Sequence, residues 1–156
     1  MKQGWIGVVA GLAVGLTAVF MTQRSGDQGP RKPTLAEGSA AIATCDPGGS
    51  ALPGAYTKIA APVHKYLTAE PSKALDAARG QVANLLDARI AACVRVLEVQ
   101  HELGSAFGDP RLPQVRSYVE HLHVARARLE DLITVLQSSQ ASDAQQKLDA
   151  LDAAMR

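Results

Sequence analysis

The stretch AEPSKALDAARGQVANLLDARIAACVRVLEVQHELG, residues 69–104, decides the fold. Leu75, Ala78, Val82, Leu85, Leu86, Ile90, Cys93, Val96, Leu97 and Gln100 follow one another at helical spacings. That period marks one face of an α-helix. Thr68 is placed to cap its start, and Pro71 is tolerated in a first turn. Gly104 supplies a C-terminal stop. Gly80 is the one weak interior position, worse than alanine by about 1 kcal/mol. A helix over 69–103 is predicted.

A turn follows, marked by Gly104, Gly108 and Pro110. Beyond it Val115, Tyr118, Leu122, Ala125, Leu129, Leu132 and Leu136 repeat as a coiled-coil-like seam. Val119 and Ile133 widen the seam towards a bundle face. This predicts a second helix over 113–139, folded back antiparallel on the first. A last helix over 142–155 is expected from Ala144, Leu148, Leu151 and Met155, with Ser142 and Gln145 as its capping box. Upstream, Tyr56, Ile59, Ala60, Val63, Tyr66 and Leu67 predict a short helix over 56–67, kinked or opened by Pro62. Residues 55–156 are thus expected to form a small helical bundle on a long antiparallel hairpin.

Residues 24–54 hold Gly26, Gly29, Pro30, Pro33, Gly38, Pro47, Gly48, Gly49 and Pro53. That density of helix and strand breakers predicts a flexible linker. Before it, Trp5 to Met21 carries no charge and no proline. A helix of that length spans about 25 Å, close to a hydrocarbon core, with Lys2 and Arg24 placed to snorkel outward. The bulky residues Val19 to Gln23 do not suit a signal-peptidase site. Residues 1–23 are therefore expected to be a single uncleaved transmembrane helix, making the whole an anchored all-α protein. Gly7, Gly11 and Gly15 fall on one face of that helix, the spacing that lets membrane helices pack closely. Arg24, Arg31 and Lys32 argue for the distal part inside the cytoplasm. The signal-like start and the cysteine pair argue for the outer, periplasmic face of the inner membrane, which is the placement expected here.

Charge narrows the function classes. Of 16 Lys and Arg, four precede Thr34, and of 15 Asp and Glu one does. The remaining 12 against 14 leave the distal part near −2. Nucleic-acid binding needs the opposite sign and is not expected.

The chemistry-bearing residues are few. Cys45 and Cys93 allow an intramolecular disulfide, an intermolecular bridge or free thiols. A hairpin turning near Gly108 sets Cys93 opposite His123, with Glu120 nearby, a faint candidate for a metal site. His121 and His123 stand two apart on a helix and cannot serve one ion. The chain contains no G-x-S-x-G, phosphate-binding glycine loop or H-E-x-x-H sequence. No enzyme, cofactor or firm metal site is expected. The expected function is a membrane-anchored helical scaffold or interaction protein of the cell envelope, with a protein partner or self-association. The alternative is a tethered helical sensor of a metal or small ligand.

Overall fold

The computed structural model describes residues 31–138 and 141–156. They are helical throughout their ordered elements, with no strand among the described residues. The expected anchor, with Gly7, Gly11 and Gly15, lies outside the described residues. No helix among those described is long and apolar enough to cross a membrane.

The first helix, α1 (Leu35–Cys45), overturns part of the linker expectation. Thr34 accepts a hydrogen bond from the Glu37 amide, and the Glu37 carboxylate accepts one from the Thr34 amide. This reciprocal box satisfies two donors at the helix start. At the other end Asp46 adopts a left-handed conformation, φ 48°, and its amide returns to the Ile42 carbonyl. The Arg89 guanidinium donates to the carbonyls of Thr44 and Cys45, at 2.7 and 3.3 Å. A cation there also suits the negative end of the helix dipole. The breakers Pro47, Gly48 and Gly49 are confined to the tight turn that follows.

Helix α2 (Ala51–Tyr66) begins ahead of the expected position and continues through Pro62. Pro53 falls in its first turn, where amides lack partners anyway. Leu52, Tyr56, Ala60 and Val63 form its buried stripe. Helix α3 (Pro71–Ala77), a π-helical segment (Ala78–Val82) and α4 (Ala83–Leu103) together make the long helix expected over 69–103. Gly80 sits in the π segment. Helix α5 (Leu112–Gln137) and α6 (Ala141–Ala154) complete the bundle.

The seam of α5 is buried as expected at Val115, Leu122, Ala125, Leu129, Leu132 and Leu136, and Ile133 joins it. Ala144, Leu148 and Leu151 on α6, and Met155 just past its end, are all almost wholly buried. The α4 face is rotated from expectation: Val99 is buried and Gln100 is exposed. The reason is α1, which packs on α4 and covers the flank bearing Val99. Helix α5 begins one residue ahead of the expected position, after a turn in which Asp109 accepts from the Arg111 amide and guanidinium. Asp87 on α4 pairs with Arg126 on α5 at 2.8 Å. Ser142 lies inside α6 and its hydroxyl meets Asp143, while the Gln145 amide donates to Asp149, so the expected capping box does not form.

Candidate functional site

Two places bring chemistry-bearing residues together. At the first, Cys45 ends α1 and Cys93 lies midway along α4. They form a disulfide, with Cα atoms 4.8 Å apart and both side chains fully buried. Around it Arg95 reaches Glu37 at 3.4 Å and Glu98 at 3.0 Å, and Arg89 holds the α1 carbonyls. The Tyr118 hydroxyl is buried without a hydrogen-bond partner among the described residues. Burial pushes its pKa up, partly offset by the Arg89 charge. The bridge fixes α1 to α4 at its last residue, while the capping box fixes its first turn.

The same bridge disposes of the metal candidates. The Cys93 sulfur is spent on Cys45. Glu120 and His123 stand exposed on the outer side of α5, whereas Cys93 is buried on the α1 side of α4. These opposed helix faces keep the three apart. Among the described residues no group of three His, Cys, Asp or Glu could hold a metal ion. His121 instead stacks beside the Tyr118 ring, with centroids 6.5 Å apart.

The second place is a cleft of about 430 Å³ between α2 and α6, lined by Tyr56, Thr57, His64, Asp152, Met155 and Arg156 among others. Tyr56 belongs to the buried stripe of α2, so its hydroxyl needs a partner inside the protein. It donates to Asp152 Oδ1 at 2.6 Å. His64 Nε2 stands 3.3 Å from the same oxygen. Burial pushes the Tyr56 pKa far above its ordinary value, and the Asp152 hydrogen bond and charge push it further. Tyr56 is therefore a neutral donor across the ordinary pH range and Asp152 an acceptor.

This cluster is not foreseen by the sequence reading. Its signal is there in two halves. Tyr56 interrupts an aliphatic stripe with a hydroxyl, and Asp152 sits at the edge of the Leu148, Leu151, Met155 ladder. Only the packing of α2 near α6 joins residues 96 positions apart. Comparison of the chain with family models, with curated proteins and with solved structures gave no match.

Proposed function

We propose that the chain is a membrane-tethered helical adaptor of a cell envelope, non-enzymatic, whose bundle lies on the outer face of the inner membrane and holds a protein partner. The observation that carries this is the buried Cys45–Cys93 bridge. Disulfides persist in oxidising compartments and are rare in the cytosol. The bridge joins α1, the first described helix after the apolar run Trp5–Met21, to the middle of the bundle. A pull on the tether would then pass into α4 instead of peeling α1 away. Tyr56, His64 and Asp152 in the α2–α6 cleft are engaged with one another, which fits binding more readily than turnover.

Protease access in cells tests the placement. In spheroplasts of the producing bacterium, added protease should digest the bundle while a cytosolic marker survives. Digestion only after the inner membrane is broken would place the bundle inside and defeat the proposal. Non-reducing gels of the same samples should show the intramolecular bridge formed in the cell.

A further inference from the structure

We propose that the cleft between α2 and α6 binds a small organic ammonium carried on an apolar body, with the nitrogen set against Asp152. The inference stands apart from the adaptor function and does not depend on which side of a membrane the bundle occupies.

The cleft is rich in acceptors and apolar walls. Among the described lining residues Asp152 supplies the only carboxylate side chain. Its Oδ1 takes the Tyr56 hydroxyl at 2.6 Å and faces His64 Nε2 at 3.3 Å. Its Oδ2 has no hydrogen bond or ion pair among the described residues. A carboxylate held by one oxygen is oriented but has acceptor capacity to spare. The Thr57 hydroxyl donates to the Pro53 carbonyl at 2.9 Å, leaving its lone pairs as acceptors too. An ammonium supplies three donors and a positive charge to such a set.

The remaining walls suit hydrocarbon. Pro53, Ala61, Met155 and the ring of Tyr56 present apolar surface. Tyr56 and Met155 are buried, at 5% and 2% exposure, so these walls are fixed by the core. The volume falls within the range of small-molecule sites. Arg156 is the one Lys or Arg among the described lining residues. It is exposed at the rim and makes no ion pair among the described residues, so water and salt screen it.

The Met155 methyl group gives a local readout, since the chain has three methionines and Met155 is the one among the described residues that lines the cleft. Methyl-labelled full chain would be titrated with isoamylamine and, separately, with 4-methylpentanoate, which exchanges the ammonium for a carboxylate. The amine should shift the Met155 signal saturably, and the acid should not. Asp152→Asn should weaken amine binding by about tenfold or more, the loss of a charge-assisted contact. Ala61→Leu fills the cleft from an exposed position without touching the polar cluster, and should abolish the shift with the helical spectrum unchanged. Equal response to amine and acid, no saturable response to the amine, or full binding by folded Ala61→Leu would each overturn the assignment.

Discussion

Two helical glycines illustrate how one residue type serves opposite ends. A Cβ on Gly38 would lie 2.7 Å from Phe107 Cε2 and 2.9 Å from Val99 Cγ1. The Phe107 ring is itself buried and cannot simply swing away. Gly38→Ala gains about 1 kcal/mol in helix propensity but overpacks a core contact at a cost of about 1–3 kcal/mol. Contacts that short decide for overpacking, so the urea midpoint should fall. A raised midpoint would mean that α1 can lift from α4 at no cost. A Cβ on Gly80 would meet no atom within 4 Å, and the residue has an ordinary helical φ. Gly80→Ala should therefore raise stability by about 0.5–1 kcal/mol, and a loss would mean that the π segment needs its glycine. Tyr56 makes a pH-dependent contribution. Its folded-state pKa is raised, so the native protein holds the phenolic proton more tightly than the unfolded chain does. The associated stability is fully present below the unfolded value of 10.0 and is lost as pH climbs beyond it. Tyr56→Phe should cost about 1.5 kcal/mol near neutrality, the worth of a hydrogen bond to a charged acceptor. It should also flatten the decline of the urea midpoint in alkali, and an equally steep decline in the variant would assign that loss to other groups.

At the scale of elements, what the sequence made legible followed from how much side-chain volume each helix buries. The long α3–α4 helix, α5 and α6 carry leucine and valine ladders, and a ladder of that size announces its period. Helix α1 buries only Gly38, Ile42 and Cys45. Its apolar signal is thin, and its glycine reads as a breaker when it is a contact. The Thr34-x-x-Glu37 capping pattern was the available sign of a helix start. Because α1 buries so little, it should depend on the disulfide more than the other helices do. Closing a loop across a sequence separation of 48 contributes about 4 kcal/mol in the chain-entropy model. The double variant Cys45→Ala, Cys93→Ala should lose stability of that order, with amide exchange accelerated first in residues 35–45 and much less along α5 and α6. Uniform acceleration would show that α1 is no weaker than the rest. The cleft was illegible for a different reason. Neither Tyr56 nor Asp152 carries a motif, and their meeting depends on the spatial approach of two helices far apart in the chain.

For the whole molecule, the existence of α1 changes the geometry of the proposed tether. A linker over 24–54 would allow the bundle to range far from the membrane. With a helix starting at Leu35, the segment from Arg24 to Thr34 spans at most about 35–40 Å even when fully drawn out. A partner would have to be met close to the bilayer, and two copies associated through their anchors would keep their bundles in each other's company at a high effective concentration. The glycines Gly7, Gly11 and Gly15 are the residues proposed to make that association. Amine-reactive cross-linking of the full chain in lipid vesicles should therefore yield covalent dimers through the bundle lysines Lys58, Lys65, Lys73 and Lys147. Gly11→Leu should remove most of that dimer, because a branched side chain at the centre of the glycine face holds the two helices apart. The bundle itself is untouched by the change, so loss of dimer cannot be ascribed to misfolding if the cooperative unfolding of the bundle is preserved. Dimer formed in undiminished yield by Gly11→Leu would locate self-association in the bundle and deny the glycine face its proposed part.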